Sequence, residues 1–204
     1  METRDQILSV ARDYFFKFGI RSVTMDDLAK EMGISKKTLY LYFEDKDALV
    51  REMCEMHMVE ERAKAQRIHA SAQNPLEELI IANEMLSAAA EKINPALIID
   101  IKKHHQDAWK ISLKHKEYIK EIIVNNLNRG KEMGIYRSEL NADIIAQLRM
   151  IVVESSLEGI LFSTDFKATE IQKHVFDHFI HGLLTEKGEK LYNELRTNKP
   201  LTYV

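Results

Sequence analysis

Residues 25–44 read MDDLAKEMGISKKTLYLYFE, and few folds accommodate that spacing. Leu28 and Ala29 fall on one side of a short helix that Thr24 caps and Asp27 reinforces. Gly33 follows Ala29 by four residues, at a turn where a side chain would need positive φ. Beyond it Ser35 caps a further helix, and Ile34, Leu39 and Tyr42 supply the inward face. This order predicts two short helices that cross closely above the small Ala29, a helix-turn-helix.

The rest of the chain keeps a helical period. Ile7, Ala11, Tyr14, Phe15 and Phe18 form one stripe over residues 3–18. Asp45 caps a helix over 46–71, and Pro75 and Pro95 sit where prolines open helices. Further helices are expected at 75–93, 95–113, 115–133, 141–162 and 168–186. Gly130, Gly134 and Gly188 read as ends, and 187–204 as a short last turn and a tail. With 7 Gly and 3 Pro among 204 residues, a turn-dense all-β fold is excluded. The expected fold is all-α: a three-helix head over 1–46 and a larger helical domain over 47–204. A single cysteine forbids an internal disulfide and fits a reducing compartment. No apolar run approaches the ~18 residues that span a bilayer. Charges in METRDQILSV argue against a signal peptide, so a cytoplasmic location without membrane contact is expected.

The 29 Lys and Arg against 32 Asp and Glu give a net charge of -3, so any attraction to nucleic acid has to be local. Residues 30–42 carry three lysines and one acid. Ser35, Lys36, Lys37, Thr38 and Tyr40 crowd the start of the second helix and can donate to phosphate oxygens and base edges. Residues 1–50 hold eight basic and nine acidic residues, so one copy would bind weakly and two linked copies far better.

The stretch GIRSVTMDDLAKEMGISKKTLYLYFEDKDALV, residues 19–50, closely resembles the DNA-binding region of the TetR (tetracycline-repressor-like) transcriptional regulators. Phe18-Gly19, the Thr24 cap, Thr38-Leu39-Tyr40, Tyr42-Phe43 and Lys46 carry the likeness, and GIYRSELNAD at 134–143 is similar to the family's C-terminal half. The resemblance implies a homodimer with a DNA-reading head and a rear domain that binds a small molecule and pairs with its twin. By analogy, Lys36, Lys37, Thr38 and Tyr40 would contact the major groove of an operator. Thr24, Tyr42 and Lys46 would hold phosphates, Ser35 would cap the recognition helix, and Leu39 and Phe43 would be core. The expected role is a repressor released from its operator by an unidentified effector.

The segment 141–162 is apolar on two sides, so it should be buried on two sides. Ile144, Ile145, Leu148, Ile151, Val152 and Gly159 form one face. Met150, Val153, Leu157 and Leu161 form the other, taken as the partner-facing one, with Val175 and Phe179 of the next helix completing a four-helix seam beside Phe176 and Leu183. Polar or adaptable residues within apolar stripes are the candidate effector contacts: Met53, Met56, Glu60, Trp109, Tyr118 and Asn126. The coupling element is expected to be the helix over 46–71.

Rival readings are an all-α metal-dependent enzyme and a helical adaptor for protein partners. His174, His178 and His181 have ligand-like spacing but no Cys, Asp or Glu completing a set. His104, His105 and Asp107 lack partner spacing, and Cys54 reads as apolar filler rather than an oxidation sensor. Nothing resembles a catalytic triad, a phosphate loop or a dinucleotide turn, so no metal or cofactor is expected.

Overall fold

The computed structural model describes residues 3–159 and 168–198. Among them are ten helices: α1 (Thr3–Phe18), α2 (Met25–Glu31), α3 (Lys36–Tyr42), α4 (Lys46–Ser71), α5 (Pro75–Ala90), α6 (Pro95–His104), α7 (Gln106–Glu132), α8 (Ala142–Leu157), α9 (Ala168–Leu183) and α10 (Glu186–Asn198). The described residues contain no strand, only an isolated antiparallel bridge between Tyr136 and Leu184. The fold is all-α with the helix-turn-helix at its N-terminal end.

Local chemistry sets most of the starts. Asn74, Asn94 and Asn141 each offer a side-chain oxygen to an otherwise orphaned helix amide, and Pro75 and Pro95 open their helices. Asp45 Oδ1 accepts the Ala48 amide at 2.7 Å.

Three expectations need correction. The break expected near residue 114 lies at His105, whose own dihedrals leave the helical region. His105 Nδ1 sits 2.8 Å from the Asp47 carboxylate, so a contact distant in sequence accompanies the break. Of the tail expected at 187–204, the described residues 187–198 are helical in α10, because Tyr192 is buried in the core and Leu191 and Leu195 pack beside it. Gly130 and Gly188 do not end helices but lie within α7 and α10. A Cβ on Gly130 would fall 2.0 Å from the Tyr136 ring, and one on Gly188 would fall 2.3 Å from the Ile135 carbonyl oxygen.

The chain forms two compact units. The first is Met1–Ala63 with Lys92–His115, so it contains α1–α3, the start of α4, α6 and the start of α7. Its core is built on Ile7, Ala11, Phe15, Leu28, Leu39, Phe43, Leu49 and Met53, joined by Leu97 and Ile101 of α6. The expected head, 1–46, falls wholly within this unit, which also takes in 47–63 and 92–115. The second unit is Lys64–Glu91 with Lys116–Val204. Its core gathers Leu76, Ile80, Leu127, Tyr136, Ala146, Phe176, Ile180, Leu183 and Tyr192. Helices α4 and α7 contribute to both units.

Candidate nucleic-acid interface

Two caps hold the helix-turn-helix. The Thr24 hydroxyl accepts the Asp27 amide at 3.1 Å, and the Asp27 carboxylate accepts the Thr24 amide at 2.8 Å. The Thr24 hydroxyl also donates to that carboxylate and, with the backbone bond, holds Asp27 below the usual carboxylate range. At α3, Ser35 Oγ accepts the Thr38 amide at 3.0 Å and lies 2.7 Å from the Thr38 hydroxyl. Gly33 between them has φ +64, so its turn strains any other residue although the space around it is open.

The inward face is Leu28, Ala29, Leu39 and Phe43, all buried, with Ile34 partly buried. Tyr42, expected to share that face, is exposed instead. Helix α3 ends at Tyr42, and the extended dihedrals of Phe43 swing the next ring into the core.

The outward face carries Ser35, Lys36, Lys37 and Tyr40, all exposed, with Thr38 partly buried. The Lys36 ammonium pairs with Asp26 at 2.7 Å and lies 6.0 Å from the Tyr40 ring centre, and the Asp26 carboxylate holds it above the usual lysine value. Lys46 is half-buried rather than extended into solvent. It donates to the Ile20 carbonyl above the Phe15 ring, and burial lowers its affinity for a proton against the pull of Asp100. Leu41, which composition and spacing did not single out, is 76% exposed on the same short helix. A leucine between two tyrosines gives no periodic signal, so only the structure reveals it.

Residues 7–53 match the family model of the bacterial regulatory proteins of the tetR family. The HTH-type transcriptional regulator YvaF of Bacillus subtilis is 34% identical over 171 residues, which cover 81% of this chain and 88% of that protein. The chain belongs to the TetR family. It is a transcriptional regulator with a DNA-binding helix-turn-helix. The HTH-type transcriptional repressor KstR2 of Mycolicibacterium smegmatis is 26% identical, covering 92% of this chain and 93% of its own. The crystal structure of a TetR-family regulator from Agrobacterium tumefaciens superposes with a TM-score of 0.77 at 17% identity, over 89% of this chain and 97% of that one.

The described candidates for a subunit seam lie on α8 and α9 of the second unit. On α8, Met150, Val153 and Leu157 are only half exposed and share the side of Ala142, Ala146 and Arg149, which are buried. The opposite side carries Ile144, Leu148 and Ile151, exposed by 66%, 52% and 50%. Periodicity located both faces, and the face expected to meet a partner is the less exposed of the two. On α9, Phe176 and Leu183 are buried in the unit's own core rather than free for a seam. Val175 is half-buried, and Phe179 lies under the Arg149 guanidinium, 5.2 Å from ring centre to Cζ. Leu161 lies outside the described residues.

Met53, Met56, Glu60 and Trp109 belong to the first unit, and Tyr118 and Asn126 to the second. Met53 is core, and Met56 and Trp109 pack against it. Glu60 pairs with Arg12 at 2.8 Å, and Tyr118 is half-buried. The Asn126 amide nitrogen donates to the Pro75 carbonyl at 2.8 Å, and its oxygen accepts the Tyr136 hydroxyl at 3.2 Å. That side chain is a buried tie between α5, α7 and the turn after it.

His174, His178 and His181 are exposed on α9, and His181 Nδ1 lies 2.8 Å from Glu189. Asp107 pairs with Lys110 at 2.8 Å. The described residues hold no group of three or more His, Cys, Asp or Glu placed to hold a metal ion. None of the described helices is long and apolar enough to cross a membrane.

Sequence reasoning foresaw a helix opening at Pro95 but not what it touches. The Asp100 carboxylate accepts the Arg21 amide at 2.9 Å, and the Asn94 amide donates to the Phe16 carbonyl at 2.7 Å. Helix α6 is thus pinned to the end of α1 and the loop before α2. No local pattern marks such a contact, because the partners lie 79 residues apart.

Proposed function

We propose that the protein is a dimeric repressor released from its operator by a small molecule. The observation that carries this is a rigidly capped recognition helix whose outward residues are solvent-facing. Lys37, Tyr40 and Leu41 are exposed at α3 with no part in the core. They suit major-groove donors and a thymine methyl contact. Thr38 completes that surface, while Lys36 must exchange Asp26 for DNA. Thr24, Tyr42 and Lys46 are assigned to the phosphate backbone, with Ser35 as the cap. The name of KstR2 supports the sign of regulation.

Dimerisation is assigned to the Ile144, Leu148 and Ile151 stripe. Three large aliphatic side chains one turn apart on an exposed helix face match a helix-pairing seam.

Coupling is assigned to α6 together with α4 and α7. Helix α6 grips the reading head through Asp100 and Asn94, so a shift of α6 moves the α1–α2 loop. The effector acts only through unequal affinity for the DNA-competent and released states. A gel shift with the DNA upstream of the protein's own gene tests the reading. Retardation by the full chain, weakened in Lys37→Ala, is expected, and no retardation of any such fragment overturns it.

A further inference from the structure

The reading face of the helix-turn-helix carries an acid beside its lysines. Asp26 stands in the first turn of α2, with 62% of its side chain exposed. Its Oδ1 lies 2.7 Å from the ammonium of Lys36, the first residue of α3. The same ammonium lies 6.0 Å from the centre of the exposed Tyr40 ring. Asp26 therefore sits against the surface assigned to the major groove, whereas its neighbour Asp27 is turned to the Thr24 cap. The Thr24–Asp27 box holds the start of α2 without Asp26. An exposed ion pair of this kind adds little to stability. Against DNA, however, a carboxylate on that face meets a surface of like charge. Once Lys36 leaves it for a phosphate, Asp26 needs another donor. The donors in a major groove are the exocyclic amines of cytosine and adenine.

We propose that Asp26 is a specificity-determining residue, which accepts a hydrogen bond from the N4 amine of a cytosine in the operator. This rests on the DNA-reading assignment of α3 above. The chemistry selects the base. An ionised carboxylate offers acceptors only. Adenine places its N7 acceptor next to N6 on the groove edge, which repels a carboxylate, and cytosine presents N4 alone. The pair then works as an exchange. On the operator, Asp26 gives up Lys36 for the cytosine amine, and Lys36 gives up Asp26 for a phosphate. Where no cytosine amine faces Asp26, the exchange would leave a bare carboxylate in the groove, so Lys36 stays paired. Other DNA is then held by fewer lysines, which widens the gap in affinity between operator and non-operator sequences.

The test uses the full chain, selection on randomised operators derived from the DNA upstream of its own gene, and anisotropy on the chosen and scrambled duplexes across a salt series. The wild type should select a cytosine at one position per bound subunit. Replacing it by 2-pyrimidinone, the same base without the N4 amine, should weaken binding about tenfold. Asp26→Ala should be indifferent to that replacement. Asp26→Asn should move the preference to adenine, whose N6 and N7 an amide meets together. For the wild type, the slope of log K against log salt should be shallower by about 2 on the scrambled duplex, because two lysines are withheld there. Asp26→Ala should abolish that difference. Asp13→Asn removes the same charge from an exposed site on α1 and should keep both the cytosine preference and the difference in slope. The Tm of Asp26→Ala and Asp26→Asn should match that of the wild type, because the cap is untouched. A cytosine preference retained in Asp26→Ala overturns the proposal. Equal tightening of both duplexes in Asp26→Ala, with base preference unchanged, overturns it too and reduces Asp26 to general repulsion, while DNA reading by α3 stands. A wild type that binds neither duplex fails the DNA-reading assignment itself.

Discussion

The carboxylate of Asp100 accepts the backbone amide of Arg21 at 2.9 Å, joining α6 to the loop that enters the helix-turn-helix. Asp100 is buried, so the bond is shielded from water. Asp100→Ala leaves that amide without its partner, and the expected loss is about 1–3 kcal/mol of stability. Urea unfolding followed by circular dichroism reads it. A loss below experimental error would show that the contact does not hold the head.

If the chain pairs through α8 as proposed, Leu148→Asp should dissociate the pair while leaving the subunit folded, since Leu148 is half in solvent already. Val153→Asp should behave differently, because Val153 lies on the side of buried Ala146 and Arg149. It should lower the stability of the subunit itself, because a carboxylate there is partly withdrawn from water. Sedimentation velocity and thermal melts on both variants separate the outcomes. Dissociation by Val153→Asp alone would restore the face that periodicity favoured.

Burial pushes the Cys54 thiol up to about 12. Thiolate is the reactive form, so native protein at pH 8 should react with a disulfide reagent far more slowly than denatured protein. Equal rates would contradict the buried placement.

His115 is held below its ordinary value of 6.5, chiefly by burial, with Glu61 pulling the other way. A depressed folded value means that the unfolded chain takes up the proton first. The destabilising contribution is absent above about pH 6.5 and grows as pH falls through that value toward the lower folded one. His115→Gln should therefore flatten the Tm profile between pH 7 and 5. An unchanged profile would remove His115 from the acid response.

What was legible in the sequence follows its range. Thr24 and Ser35 are capping signals, and Pro75 and Pro95 opening signals, within a few residues of the helix starts they mark, so the starts of α2, α3, α5 and α6 were readable. The break at His105 and the helix α10 accompany Asp47 and the core around Tyr192, which no local window contains. On α8 two apolar faces compete, and period alone does not say which faces water. Asn126 looked like a ligand contact because a polar residue interrupts an apolar stripe. It makes two buried hydrogen bonds, to the Pro75 carbonyl and from the Tyr136 hydroxyl, that no local window contains.

Lys46→Ala should weaken specific and non-specific DNA alike, and it should also lower stability, because Lys46 caps the Ile20 carbonyl. Lys37→Ala should leave stability unchanged and relax preference at one or two operator positions, each worth about 1–3 kcal/mol. Selection on randomised operators, with melts of both variants, checks the contrast. A changed sequence preference in Lys46→Ala alone would misplace the recognition helix.

The central claim is that α3 reads DNA through a local basic surface on a chain of negative net charge. Fluorescence anisotropy with the DNA upstream of its own gene and a scrambled duplex, across a salt series, tests it most directly. With Lys37 on base edges, Lys36 and Lys46 of two subunits meeting phosphate give a slope of log K against log salt of about -4. The native sequence should bind on the order of a thousandfold tighter than the scrambled one. Equal affinity for the two duplexes, or a flat salt response, would contradict the account.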